Sequence, residues 1–283
     1  MRLATFRAKD RTSYGIVTDS GIIDLGRKLP LYPTMLDLIQ ADAIREARTA
    51  DAAPDYALDD VVFLPPVPDA EKILCVGINY PERAEEYRDK KERPKYPNLF
   101  VRFPGSLVGH EESVVRPKVS EQFDYEGEIV LVIGREGRAV SREDALSMIF
   151  GLTLGNEGSV RDWVRHGTMN VTQGKNFDRS GSLGPWIVPA EDLDPAKPLR
   201  LTTRVNGAIR QDDTTDRLTW GFAELIHYIT IFTTLKPGDL IFTGTPTGAG
   251  GHQHPPSWLK SGDVVEIESP DIGVLRNRVV DEE

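Results

Sequence analysis

The chain has 283 residues, 39% hydrophobic and 28% charged, ordinary for a soluble globular protein and long enough for two domains or one large one. Its formal net charge of −10 argues against nucleic acid or an anionic membrane as the main partner, since both need a basic footprint. One cysteine, Cys75, excludes an intrachain disulfide and a cysteine zinc cage. The opening residues lack the apolar core of a secretory signal, and no run approaches the ~18 apolar residues of a membrane span. A cytoplasmic location is the expectation.

Residues 1–68 read as a small β-rich domain with its linker. Leu3, Thr5 and Phe6 start a first strand. Tyr14–Thr18 and Gly21–Leu25 form two more around the turn Asp19-Ser20-Gly21. A helix is expected from Thr34, with Asp37 as its capping partner and Leu36, Ile39 and Ile44 as its apolar face. Pro65, Pro66 and Pro68 make a stiff extended connector. Residues 69–283 read as one larger catalytic domain, opening with a strand at Lys72–Val76. Residues 82–95 hold five acids and six bases in fourteen positions and read as a solvated helix or a lid. A strand is expected at Gly127–Gly134, and a short helix at Ser141–Phe150 with Ser141 and Asp144 as caps. Phe222, Leu225, Ile226, Ile229 and Phe232 recur at helical spacing within Leu218–Leu235. Two Gly-Asp turns, at 238–239 and 262–263, each feed a strand. Strands outnumber helices without regular alternation, so the class is α+β with a β-rich core.

The chain has no G-x-S-x-G elbow, no P-loop, no G-x-G-x-x-G and no H-E-x-x-H. His252 and His254 stand in a Gly/Pro-rich loop without a third metal ligand nearby. His227 reads as a packing residue. Glu126-Gly127-Glu128 is more informative, because side chains two apart on a strand share a face, where paired carboxylates repel unless a cation lies between them. Glu157 follows the apolar stretch IFGLTLG, and a carboxylate at the end of a buried strand needs a partner. The threonine-glycine loop at 243–248 can present N–H groups and hydroxyls to an anion. Three glutamates, Lys175 and this loop suggest a divalent-metal site for an oxygen-rich substrate.

The segments GINY at 77–80, DYEGEIVLVIG at 124–134, NEGSVRDW at 156–163, QGKNFD at 173–178, LGPWIV at 183–188, VNG at 205–207, LKPGDLIFTGTPTG at 235–248 and LRNRV at 275–279 resemble the fumarylacetoacetate hydrolase family in order and spacing. The resemblance implies a mixed β-sheet roll, a homodimer, and Mg²⁺ or Mn²⁺ held by Glu126, Glu128 and Glu157. The third family ligand is usually Asp, so Glu157 is one methylene longer. The resemblance makes Lys175 the residue that stabilises enolate charge and Thr245 a contact of the substrate carboxylate. Arg161 and Asp162 are expected to form an internal structural pair.

The implied substrates are small 2-oxo or 2,4-dioxo acids. Hydrolytic members carry a His–Glu pair on the lid to activate water. Here the glutamate is Glu86, but the histidine position holds Arg83, which stays protonated and cannot serve as a base. Arg83 could instead bind a distal carboxylate, and His166 or Glu86 could replace the base. C–C hydrolysis of an acylpyruvate-like acid is the leading expectation. Isomerisation or decarboxylation of a dienedioate from aromatic-acid breakdown is the alternative, and an inactive binding protein on the same fold is the third.

Overall fold

A computed structural model describes residues 1–50, 52–86, 95–167 and 170–283, without the side chains of 84–86. Among these residues the chain forms an 11-stranded mixed sheet and a five-stranded sheet, with short helices around them. The class is α+β and rich in sheet, as the strand pattern indicates.

The large sheet is built around Gly127–Ile133, which pairs antiparallel with Ile149–Asn156 on one side and with Leu240–Phe242 on the other. Alternation gives this strand two apolar faces. Ile129, Leu131 and Ile133 belong to a core shared with Phe222, Leu225, Ile226 and Ile229 of the helix Phe222–Phe232 and with Val265 and Ile267 of the second sheet. Val130 and Val132 belong to a second core, with Cys75, Phe242 and the helix Met35–Gln40. A strand buried on both faces reads as a continuous apolar run, which GEIVLVI is. The N-terminal strands Leu3–Ala8, Arg11–Thr18 and Gly21–Asp24 extend the same large sheet through the pair Leu3–Ile187.

Local chemistry sets the boundaries. Thr34 and Asp37 form a reciprocal capping box at the helix Met35–Gln40. That helix stops sooner than expected: Asp42 adopts φ 51°, and Ile44 opens a separate helix, Ile44–Thr49. The Ser141 hydroxyl accepts from the Asp144 amide, but the helix ends at Ala145 and Ile149 already begins a strand. The long helix starts at Phe222 rather than Leu218, and just before it the amides of Thr219 and Trp220 donate to Asn79. Phe232, expected on its inner face, is exposed. The two Gly-Asp turns share one design: Gly238 and Gly262 take φ 88° and 94°, and Asp239 and Asp263 each accept the amide three residues back at 2.8 Å.

Two glycines allow close approach beside the site. A Cβ at Gly127 would lie 2.1 Å from the Thr203 Oγ1 of the second sheet. A Cβ at Gly155, the pairing partner of Glu128, would lie 2.3 Å from the Phe242 ring. Gly155→Ala is expected to destabilise the fold by about 1–3 kcal/mol through overpacking. An unchanged midpoint in urea unfolding, followed by tryptophan fluorescence, would refute this. Cys75 offers a second check. Burial, with Glu157 nearby, pushes its thiol well above the usual range, so thiol reagents should modify it only when the chain unfolds.

Candidate active site

Glu126 immediately precedes the strand Gly127–Ile133, and Glu128 is its second residue. The neighbouring strand ends at Asn156, whose side-chain oxygen accepts the Glu126 amide at 3.0 Å. The next amide, of Glu157, donates to the Glu126 carbonyl at 2.8 Å. Two adjacent strand ends thus deliver three buried carboxylates to one place. They line a cavity of about 140 Å³ together with Arg83, Arg161, Lys175, Thr245 and the apolar Phe100, Val164 and Val171.

The charges are unevenly distributed. Glu126 Oε1 accepts from Arg83 at 2.7 Å and from Arg161 at 2.8 Å. Its Oε2 accepts from Ser159 at 2.8 Å and from Lys175. Burial alone would raise the Glu126 carboxyl, but Arg161, Lys175 and Arg83 hold it well below the usual range. Glu128 receives the Gly244 amide at 2.7 Å, and burial with Glu157 and Glu126 nearby pushes its carboxyl well above the usual range. Glu157 Oε2 lies 3.3 Å from Lys175, while its Oε1 is buried with no hydrogen-bond partner among the described residues. Burial would lower the Lys175 ammonium, but Glu126 and Glu157 raise it. Lys175 comes from the short helix Thr172–Lys175 and also lies 5.2 Å above the Phe100 ring.

Hard oxygen donors with an orphaned carboxylate oxygen fit a divalent cation. Among the described residues no three His, Cys, Asp or Glu side chains form a ready cage, and Lys175 bridges Glu126 and Glu157 instead. Thr245 donates to the Gly127 carbonyl at 2.9 Å and accepts from Gln211 at 2.8 Å, so its hydroxyl is fixed beside the carboxylates.

Other expectations fall elsewhere. His166 is exposed, packs at a tilt against Trp163 with ring centroids 4.4 Å apart, and is not among the described residues lining the cavity. The side chain of Glu86 lies outside the described residues, as does most of the charged segment 82–95. Arg161 finds a partner other than the expected Asp162. Its Nε donates to Asp124 at 2.7 Å, while Asp162 accepts from Ser120.

Three further residues support the site; Asn79 and Asp124 lie in segments that carry the family resemblance, and Arg102 lies outside them. Asp124 is fully buried and also accepts from the amides of Tyr125, Gly250 and Gly251. It thereby ties the His252 loop to Arg161. Arg102 is buried and donates to the Gly158 carbonyl and to Ser106 and Ser180. The Asn79 side chain joins the carbonyls of Trp220 and Thr243 at 3.0 and 2.8 Å.

The family model for the fumarylacetoacetate (FAA) hydrolase C-terminal region matches residues 72–280. The chain belongs to the fumarylacetoacetate hydrolase family. It is 35% identical to the mitochondrial oxaloacetate tautomerase Fahd2a of Rattus norvegicus over 289 residues, 99% of this chain and 92% of that protein. Among solved structures it resembles the fumarylacetoacetate hydrolase of Exiguobacterium antarcticum, with a TM-score of 0.84 and 30% identity over all of both chains. It also resembles maleylpyruvate hydrolase from Sphingobium sp. SYK-6 in complex with manganese(II) and pyruvate, with a TM-score of 0.81 and 26% identity, again over all of both chains. The protein is therefore an enzyme of this family, whose members include tautomerases and hydrolases.

The charge distribution separates two of the carboxylates. Glu126→Gln leaves Arg83, Arg161 and Lys175 short of a counter-charge and should cost about 3–5 kcal/mol of stability. Glu128→Gln removes a repelled carboxylate. It should leave the metal-free melting temperature unchanged or higher, while abolishing the rise on adding Mn²⁺. Calorimetric melts of both variants, with and without Mn²⁺, check this. A Glu128→Gln protein that still gains stability from Mn²⁺ would contradict the assignment.

Proposed function

We propose that the enzyme is a divalent-metal-dependent isomerase that interconverts the keto and enol forms of a small 2-oxo acid, oxaloacetate being the first candidate. The observation that carries this reading is the content of the cavity. Its described lining has three carboxylates, one lysine and two arginines but no histidine. Hydrolysis of a C–C bond needs a base to activate water, and Arg83 cannot supply one. Tautomerisation also needs a base, for the C3 proton, which a cavity carboxylate can supply, but it needs no activated water. The full-length similarity to an oxaloacetate tautomerase supports the same choice. A cavity of about 140 Å³ also suits a small acid, being well below the roughly 300–1,000 Å³ of sites for drug-sized ligands.

Glu126, Glu128 and Glu157 would hold the cation, Mg²⁺ or Mn²⁺, which supplies Lewis-acid polarisation of the 2-oxo group. The manganese bound in the similar maleylpyruvate hydrolase supports a divalent ion. The chain's own contribution centres on Lys175. Its raised affinity for the proton keeps Nζ a donor, positioned among the carboxylates. As the C3–H bond breaks, its proton passes to Glu157, its electron pair forms the C2–C3 double bond, and Nζ stabilises and protonates the oxygen at C2; Glu157, 3.3 Å from Nζ, then returns a proton to it. Thr245, fixed by Gln211, shapes the carboxylate end.

The test uses oxaloacetate with Mn²⁺ or Mg²⁺, following the enol by ultraviolet absorbance and all products by NMR. Faster keto–enol exchange with no loss of carbon is expected. Lys175→Met should slow it by roughly 10²–10⁴-fold. Release of pyruvate and CO₂ would make the enzyme a decarboxylase, and oxalate with acetate would make it a hydrolase. Either outcome as the dominant reaction replaces the tautomerase reading.

A further inference from the structure

We propose that Gln211 is a positioning residue of this site. Reaching in from the second sheet, it holds the peptide between Glu126 and Glu128 and the threonine loop in one ring of hydrogen bonds, and so sets how tightly the carboxylates take a cation. The inference deepens the function proposed above and rests on its metal site.

The need for such a residue begins in the strand ladder. Along Gly127–Ile133 the odd-numbered residues turn their peptide groups towards the strand Leu240–Phe242. The Ile133 amide donates to the Asp239 carbonyl at 2.9 Å, and the Ile129 carbonyl accepts from the Thr243 amide at 3.2 Å. Gly127 is next on that side, but the pairing ends at Val130–Phe242 and the chain has turned into the loop 243–248. A buried amide and carbonyl need partners. Two side chains take the place of the missing strand. Gln211 Oε1 accepts the Gly127 amide at 3.0 Å, and the Thr245 hydroxyl donates to the Gly127 carbonyl at 2.9 Å.

The donor and acceptor roles leave one arrangement. The Gly127 amide can only donate and the Pro246 carbonyl can only accept. They orient Gln211 with Oε1 towards the first and Nε2 towards the second, at 2.8 Å. The single proton of Thr245 goes to Gly127, so its oxygen accepts from Nε2 at 2.8 Å. The bonds close a ring through Gly127, Gln211 and Thr245. Gln211 is 1% exposed and stands on Ala208–Thr214, the outermost strand of the second sheet. The loop rests on that strand directly: a Cβ at Gly248 would lie 1.9 Å from the Arg210 carbonyl.

The ring holds what a cation needs held. Gly127 is the residue between Glu126 and Glu128, and glycine restrains its own dihedrals least of all residues. The spacing of the two carboxylates therefore depends on the bonds made to its peptide groups. The same loop supplies the Gly244 amide to Glu128 at 2.7 Å. Opening the ring loosens both.

Calorimetric titration of Mn²⁺ into the full-length protein, with no acid present, reads this without turnover. Gln211→Met keeps the length and gives up the amide. It should weaken Mn²⁺ binding roughly 10–100-fold. Thr245→Val opens the ring at another corner while leaving the Gly127 amide paired, and serves if the methionine variant does not fold. It should also lose about tenfold or more, with Thr245→Ser restoring most of the loss. The double variant should bind within about twofold of the weaker single variant, since one ring can be opened only once. Leu201→Ala, a truncation of the buried core on the strand Arg200–Val205, gives the comparison. It should lower the melting temperature and leave Mn²⁺ affinity within about threefold. Wild-type affinity in either single variant, additive losses in the double variant, or an equal loss in Leu201→Ala overturns the role of Gln211 and leaves the metal site standing. A wild type that takes up no Mn²⁺ overturns both.

Discussion

The Glu126 carboxylate is 3% exposed and accepts from Arg83, Arg161, Lys175 and Ser159. Removing so many charges from water costs several kcal/mol per ion before any attraction is counted, and well-packed apolar side chains would often be at least as stable. The cluster is therefore poor value as a structural device and good value as a charged cavity held in readiness. The surrounding architecture serves to hold it. Two antiparallel strands end side by side, so the glutamates come from positions that backbone pairing has already fixed. Gly127 and Gly155 let the second sheet and Phe242 press against those strand ends without a side chain in the way. The apolar cores on both sides exclude water, which strengthens every interaction among the charges.

Much of this was visible in the sequence because it depends on local pattern. The run GEIVLVI, the capping pair Thr34–Asp37 and the twin Gly-Asp turns each specify their geometry within a few residues. The spacing of Glu126 and Glu128 gave a shared face, and the resemblance added Glu157, Lys175 and Thr245 to it. What the sequence hid was non-local. Asp124 and Arg161 are 37 residues apart, and no periodicity announces their pair. Adjacency in sequence favoured Arg161 with Asp162, but the two side chains leave in different directions. The helix expected from Leu218 begins at Phe222, after a segment tied to Asn79, 141 residues upstream of Trp220. His166 looked available because it follows the metal segment, yet the chain carries it to the surface against Trp163.

Family membership and activity separate here along physical lines. The carboxylate-lined strand ends, the lysine and the threonine loop form one charged cavity in an enzyme of this family. The choice among hydrolysis, decarboxylation and tautomerisation depends on which groups move protons and which groups hold the distal end of the substrate. Arg83 stays protonated, so it pairs with the Glu126 carboxylate and cannot act as a base.

The buried Asp124 has a consequence beyond the cavity. One carboxylate accepts Arg161 from the site and two successive amides from the loop at 250–251. The loop and the site therefore compete for the same four lone-pair directions. Remodelling the loop, by insertion or by replacing a glycine whose Cβ would strike Asp124, would re-aim Arg161 and change the potential at Glu126. Homologous sequences that vary in this loop would thus differ in cation affinity while keeping every residue that lines the cavity. Selection would have a remote adjustment for the electrostatics of the centre, set in a segment outside the described lining of the cavity.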